Sequence, residues 1–276
     1  MRKLPSRLYM YALYLFLYLP ILVLIVFSFN VSKSRSNWTG FTLDWYVKLF
    51  HNESIMTSLR NTVIVALAAS IFATILGTTA ALGINSMKKR SKTVFMNLTY
   101  IPVVSPEIIM GVSLMLLFQI FRTSFGFQFG FASLILAHIS FDVPYVIYSV
   151  LPKLRGMNPS LVEAAQDLGC NQRQAFFKVV IPEIMPGIFT GFLMSVTYSI
   201  DDFVVSYFTS GTNVQTLSIT IESMTRLKVS PEINALSAII FLVICVILIT
   251  KNIFDNRRLR REQEQFRAAQ RKESMV

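Results

Sequence analysis

The chain has 276 residues, of which 53% are hydrophobic and 13% aromatic but only 15% charged, and its mean hydropathy is +0.54. Water-soluble domains carry about 25% charged residues, so this composition excludes an ordinary soluble globular protein and needs lipid. The formal net charge of +11 comes from loops and a tail between and after apolar stretches, and so gives little support to nucleic-acid binding.

Crossing a hydrocarbon core of about 30 Å takes about 20 helical residues. Apolar stretches of that length run from Leu8 to Phe29, Asn61 to Ile84, Val94 to Phe118, Phe131 to Leu151, Met185 to Phe208 and Ile233 to Phe254. They predict an all-α membrane protein with six transmembrane helices. The first follows Arg2, Lys3 and Arg7, as the apolar core of a secretory leader would. It is too long for that, however, and ends in Phe27-Ser28-Phe29-Asn30 rather than at a small-residue cleavage site, so it reads as an uncleaved span.

Basic residues orient the spans. With the N-terminus in the cytoplasm, Arg2, Lys3 and Arg7, the Lys88 to Lys92 cluster, Lys153, Arg155, Arg173 and Lys178, and the bases from Lys251 to Lys272 all fall on that side. They are most of the 26 Lys and Arg, so both termini are expected to be cytoplasmic. Residues 30–57 then form an outer loop, in which Trp45, Tyr46, Leu49 and Phe50 recur at helical spacing after Thr42 and predict a short helix on the membrane surface. Residues 152–184 form a cytoplasmic loop between spans four and five, and residues 255–276 a basic tail against anionic lipid headgroups.

The loop after span four has its own helix signals. Asn158-Pro159 starts a helix, with Ser160-Leu161-Val162-Glu163 as an overlapping capping box, and Gly169 stops it in a left-handed turn. Asn171 then caps a second helix, expected to end near Val180, before Pro182. In this helical hairpin Leu161, Ala165 and Leu168 share a face, and Ala164 leaves little bulk before an approaching partner. Periodicity alone equally allows an amphipathic connector lying on the membrane.

Spacing adds a second reading. Glu163-Ala164-Ala165, three residues, Gly169, nine residues, and then Val179-Val180-Ile181-Pro182 resembles the EAA loop of ABC importer permeases, with Val179 and Ile181 at positions where the family usually has other aliphatics. Asn37 to Tyr46, Ser105-Pro106-Glu107-Ile108, Ser199 to Ser206 and Val229 to Leu236 are similar to the spermidine/putrescine branch of that family, so the resemblance covers nearly the whole chain. It implies one type I importer permease domain over residues 1–276, in a bacterial plasma membrane. It also implies that Glu163, Ala164, Ala165, Gly169 and Pro182 belong to a coupling helix seated in a separate ATPase. ATP and Mg would be bound on a cytoplasmic ATPase dimer, in keeping with the lack of a Gly-x-x-x-x-Gly-Lys-Ser/Thr phosphate loop here. The other implied partners are a second permease subunit, which supplies half of the path, and an extracytoplasmic polyamine-binding protein, which the outer loop could touch.

Acidic side chains inside spans are costly and by default face a polar path or each other. Glu107, Asp142, Asp201 and Asp202 lie at depths between the midplane and the outer face, with no Lys or Arg well inside any span. Such a route favours cations and repels phosphate, sulfate or molybdate. Tyr198 and Phe203 are candidate cation–π partners, as are Tyr100, Tyr145, Tyr148 and Tyr207. Each acid has a structural alternative: Asp201 and Asp202 point about 100° apart on a helix, so one is free to bond backbone, and Asp142, one turn after His138, suits a buried pair with it. Pro102 and Pro106 are expected to break span three beside Glu107. Gly187 and Gly191 form a small-residue contact in span five.

Cys170 and Cys245 lie in different regions and indicate no redox chemistry, and His51 and His138 give no metal-ligand spacing. No nucleophile-base pair sits at either face, so no catalytic residue is expected and a membrane enzyme is the weakest reading. A permease for another solute, such as ferric iron or thiamine, and an ATP-independent cation channel or carrier remain as alternatives.

Overall fold

The computed structural model describes residues 3–32, 37–227, 231–243, 245, 246 and 249. Their regular structure is helical, apart from one antiparallel bridge between Asn30 and Phe41. The chain divides into two compact units, Met1–Asn52 with Met224–Val276, and Glu53–Ser223.

In the first unit, α1 (Lys3–Phe27) exposes an apolar surface along its length, with no residue of Tyr9–Phe27 buried. The outer loop folds back on itself after it. Asn30 is buried, donating through Nδ2 to the Asn37 carbonyl at 2.8 Å and accepting the Thr39 N–H at 3.0 Å. The predicted surface helix is α2 (Asp44–His51), whose Trp45 and Leu49 turn inward while Phe50 stays exposed. The Trp45 indole donates to the Asn30 carbonyl at 2.7 Å, so the indole N–H is satisfied where it is buried. The start of the expected sixth span is α12 (Pro231–Val243), an apolar helix. Most of the remainder of that span, and the whole basic tail of residues 255–276, lie outside the described residues.

The second unit holds α3 (Glu53–Ser86), α4 (Lys89–Val104), α5 (Glu107–Phe125), α6 (Phe131–Gly156), α7 (Ser160–Asp167), α8 (Gln172–Ala175), α9 (Ile181–Asp201) and α10 (Val204–Thr209). Helix α11 (Leu217–Leu227) begins in it. Among the described residues five helices are long and apolar enough to cross a membrane: Tyr9–Phe27, Glu53–Ser86, Glu107–Phe125, Phe131–Gly156 and Gln172–Asp201.

The core lies between α3, α6 and α9, where Ala81, Ile84, Val146, Val150, Leu154 and Ile184 are buried together. Small residues bring the backbones close. A Cβ on Gly77 of α3 would lie 2.6 Å from Val146 Cβ, and on Gly187 and Gly191 of α9 it would lie 2.8 Å from the Ser149 carbonyl and 3.0 Å from Val146 Cα. The Gly187/Gly191 pair therefore packs α9 on α6, the close helix approach that such spacing allows.

Two spans are broken, one as the prolines predict and one against the expectation of a single helix. Span three, expected from Val94 to Phe118, is two helices. Pro102 stays inside α4, and the break falls at Ser105-Pro106, because the residue before a proline is driven to an extended conformation. At about 1.5 Å per residue, α4 and α5 together match the length of α3, which places the break near their common midpoint. Span five, expected to continue to Phe208, stops at Asp201 and restarts as α10, because the Asp202 carboxylate takes the Val205 and Ser206 N–H groups at 3.2 and 2.7 Å in place of the helix ladder.

The hairpin departs from expectation in three details. Ser160 forms no capping box; instead Asn158 Oδ1 accepts the Ser160 N–H at 3.1 Å. The second helix does not end before Pro182 but runs on into α9 through a π-helical turn, Phe176–Val180, in which the Ile181 N–H reaches the Phe176 carbonyl. That wider turn accommodates a proline, which has no N–H to give and crowds the carbonyl four residues back. Finally, Ala165 is half-buried, so the outward apolar positions are Leu161 and Leu168 with Ala164 between them.

The close packing predicts a contrast between two glycines of α3. Gly77→Val should cost about 1–3 kcal/mol by overpacking against Val146, whereas Gly83, with open space around its Cα, should gain about 0.5–1 kcal/mol on replacement by Ala. Thermal melting in detergent should rank Gly77→Val below the wild type and Gly83→Ala level with or above it.

Candidate functional site

The two helix breaks face one cavity of about 260 Å³. Glu107, Tyr198, Asp201, Asp202 and Phe203 all line it, joined by Pro102, Val103, Ser105 and Met110 at the first break and by Phe141 and Tyr145 from α6. Three of the four acids thus come together with Tyr145, Tyr198 and Phe203 of the candidate aromatics. The fourth acid, Asp142, does not line the cavity. It lies directly after Phe141 with 0% exposure, and neither carboxylate oxygen has a hydrogen-bond partner among the described residues.

The lining contains three carboxylates and no lysine or arginine. Helix ends add to the negative character. Helices α4 and α9 both terminate at the cavity, at Val104 and Asp201, presenting the carbonyl-rich ends of their dipoles, each equivalent to about half a negative charge. The two opposing amino ends are offset by acids: Glu107 stands in the first turn of α5, and Asp202 accepts the first N–H groups of α10. What remains is a field suited to a cation.

Of the two adjacent aspartates, Asp202 is the one engaged by backbone, and Asp201 is exposed. The Tyr145 and Tyr198 rings stack with centroids 4.2 Å apart, joining α6 to α9 at the cavity wall. Tyr100 and Tyr148 instead pair edge to face with each other, and Tyr207 lies outside the lining, against Phe203 and Phe208.

The sequence offers no sign of His138's partners. The pair with Asp142, offered as the alternative to a pathway role for that acid, does not form. The imidazole meets Ser199 through Nδ1 at 2.5 Å and Ser206 through Nε2 at 3.0 Å, because the break after Asp201 turns α10 back alongside α6. An unbroken span five would put Ser199 and Ser206 on one face but about 10 Å apart along the axis, too far apart for one imidazole to bridge. The lining role of Phe141 also went unread, since an aromatic one residue from a buried acid carries no distinguishing pattern.

In the hairpin, Glu163, Ala164 and Pro182 are exposed. Gly169 takes φ +87°, the left-handed conformation expected of it, and its N–H and that of Cys170 bond back to the Gln166 and Ala165 carbonyls at 2.9 and 3.0 Å. Asn171 caps α8 reciprocally with Gln174, at 2.9 and 3.0 Å. The result is a rigid turn carrying Leu168 with 87% of its surface exposed and Phe177 nearby, also exposed, an apolar surface that water alone does not stabilise.

Comparison with known proteins agrees with these features. The sequence profile of the family described as "Binding-protein-dependent transport system inner membrane component" matches residues 73–260. The chain is 36% identical over 217 residues to the spermidine/putrescine transport system permease protein PotC of Escherichia coli K12, covering 79% of this chain and 81% of the relative. It is 35% identical over 206 residues to the putrescine transport system permease protein PotI of the same strain, covering 74% and 73%. A similar fold occurs in a bacterial alginate ABC transporter solved in complex with an alginate pentasaccharide-bound periplasmic protein, with a TM-score of 0.67 at 17% identity over 90% of this chain and 91% of that one. An apolar multi-helix chain with this profile match and these relatives belongs to the inner-membrane permease subunits of binding-protein-dependent ABC transport systems.

Proposed function

We propose that this chain forms half of the path for polyamines, spermidine or putrescine, in an ATP-driven importer. The observation that carries the proposal is the cavity at the paired helix breaks, where Glu107, Asp201 and Asp202, the ends of two helices and stacked tyrosines provide anionic and aromatic surfaces without a basic residue. Ammonium groups gain from both kinds of surface. The names of the relatives in Escherichia coli point to the same cargo.

In this reading the domain is a single type I permease over residues 1–276, with six spans and both termini in the cytoplasm. A second permease subunit supplies the other half of the path, an extracytoplasmic binding protein delivers the polyamine, and a cytoplasmic dimer binds ATP and Mg. Residues 152–184 dock on that dimer through Glu163, Ala164, Ala165, Gly169 and Pro182, and residues 30–57 face outward.

The coupling mechanism follows from how the hairpin is attached. It lies between α6 and the continuous helix Gln172–Asp201, a rod of roughly 45 Å at 1.5 Å per residue. Both attachments reach the cavity, α6 through Phe141 and Tyr145, α9 through Tyr198 and Asp201. Their tight packing at Gly187 and Gly191 makes them move together. When ATP draws the two ATPases closer, the seated hairpin carries both rods, and the cavity opens to the other face. The driving energy is the difference in hairpin contact between the open and closed ATPase dimers.

Three expected outcomes follow. Gly169→Pro, which forces φ to about −65° where the turn needs +87°, should leave the chain in the membrane but lower ATP-dependent uptake by roughly tenfold or more; wild-type uptake would contradict coupling through this turn. Glu107→Gln and Asp201→Asn should each raise the KM for labelled putrescine by about tenfold, the effect of roughly 1.4 kcal/mol of lost attraction, without loss of assembled complex; unchanged KM in both would remove the electrostatic reading. In a competition panel, spermidine and putrescine should displace labelled putrescine, and thiamine and ferric iron should not. Uptake that survives loss of the ATPase would identify a channel or carrier instead.

A further inference from the structure

His138 sits on α6 with no exposed surface and does not line the cavity, yet its hydrogen bonds converge on the far side of a residue that does. Nδ1 meets Ser199 of α9 at 2.5 Å, and Nε2 meets Ser206 of α10 at 3.0 Å. Ser206 in turn gives its backbone N–H to Asp202 Oδ2 at 2.7 Å, and His138 Nε2 stands 3.7 Å from that same oxygen, too far for a hydrogen bond but near enough to act on its charge. Each serine hydroxyl can donate or accept, so whichever imidazole nitrogen carries the proton, both contacts are kept. A second tie runs parallel: the Ser133 hydroxyl of α6 donates to the Thr209 carbonyl of α10 at 2.7 Å.

These contacts span the break between α9 and α10. The chain is extended at Asp202, and no helical hydrogen-bond ladder crosses that point to set the angle of α10. Its angle is therefore left to tertiary contacts: packing on α5, where Phe118 and Val205 share a buried cluster and Gly111 lies against Phe208, and the side-chain bonds from α6.

The geometry points to His138 as a positioning residue of the cavity: by joining α6 to Ser199 before the break and to Ser206 after it, the imidazole fixes the direction in which the Asp202 carboxylate and the Phe203 ring face the transported cation. The inference rests on the reading of the cavity as a polycation path. Its mechanical part, that His138 sets the pose of residues 202 and 203, is independent of the cargo.

The test uses the complete importer, with both permease subunits, the ATPase dimer and the binding protein, in proteoliposomes. His138→Phe keeps the ring and loses both hydrogen bonds; His138→Gln keeps one donor and one acceptor. His138→Phe should raise the KM for labelled putrescine by roughly tenfold, and His138→Gln should recover most of the loss. In an Asp202→Asn background, His138→Phe should add less than about a twofold further effect, because the two act through one element. Multiplicative effects of His138→Phe and Asp202→Asn would overturn the proposal, as would a lower yield of complex with unchanged KM.

A second measurement does not depend on the cargo. With Cys170 and Cys245 replaced by serine, the rate at which Phe203→Cys reacts with 2-aminoethyl methanethiosulfonate should change by at least about threefold when His138→Phe is added. An unchanged rate would overturn the positioning role even if putrescine were not the cargo. Failure of the Glu107 and Asp201 variants to affect uptake, with the thiol rate still responding to His138→Phe, would refute the polyamine reading alone.

Discussion

Everything at the cavity depends on the close contact of α6 and α9. Gly187 and Gly191 bring the α9 backbone against Ser149 and Val146, and Gly77 brings α3 to the other side of the same valine. Lipid gives no hydrophobic drive for one helix to leave it for another, so dispersion at such short range and interhelical hydrogen bonds hold the bundle together. This contact also fixes what lies about two turns along α9 from Gly191: Tyr198 stacks on Tyr145, and Ser199 meets His138. A side chain at either glycine of α9 would pry apart both at once.

Against that fixed pair, the discontinuities have a plain physical logic. A broken helix within a membrane leaves backbone groups unpaired, a cost tolerated where they line protein or water. Here each break is supplied with local compensation. The Ser105 hydroxyl donates to the Ile101 carbonyl at 2.7 Å, Pro106 has no N–H to lose, and Asp202 accepts two N–H groups of α10. The carbonyl ends of α4 and α9 remain directed at the cavity. The site is thus built as much from helix ends as from side chains, and its sign is set by which ends are capped.

Much of this was legible from residue order. Length and apolarity located five long apolar helices among the described residues, Gly169 and Asn171 located the turn and cap of the hairpin, and two prolines beside Glu107 located the first break to within a few residues, since these signals act locally on the backbone. The second break was not legible. Asp201-Asp202 reads as two costly charges in one helix with one of them free to bond backbone, and residue order does not decide that Asp202 instead takes the N–H groups three and four residues on and starts a new helix. Pro182 misled for a related reason: it normally closes a helix, but a π turn before it let the hairpin and span five become one rod. Acid content singled out Glu107, Asp201 and Asp202, which line one cavity, and equally Asp142, which is indistinguishable from them by composition but lies buried outside the lining.

The central claim is that movement of the hairpin, carried by α6 and α9, turns this cavity from one face of the membrane to the other. It is tested most directly by placing a cysteine at Ser105, at the first break, in the complete importer with the native cysteines replaced by serine, and measuring its reaction with a membrane-impermeant cationic thiol reagent from each side. The account predicts that ATP binding switches the reactive side in the wild-type hairpin and fails to do so when Gly169→Pro is present. Reaction from one side only, whatever the nucleotide, or a switch unaffected by Gly169→Pro, would contradict it.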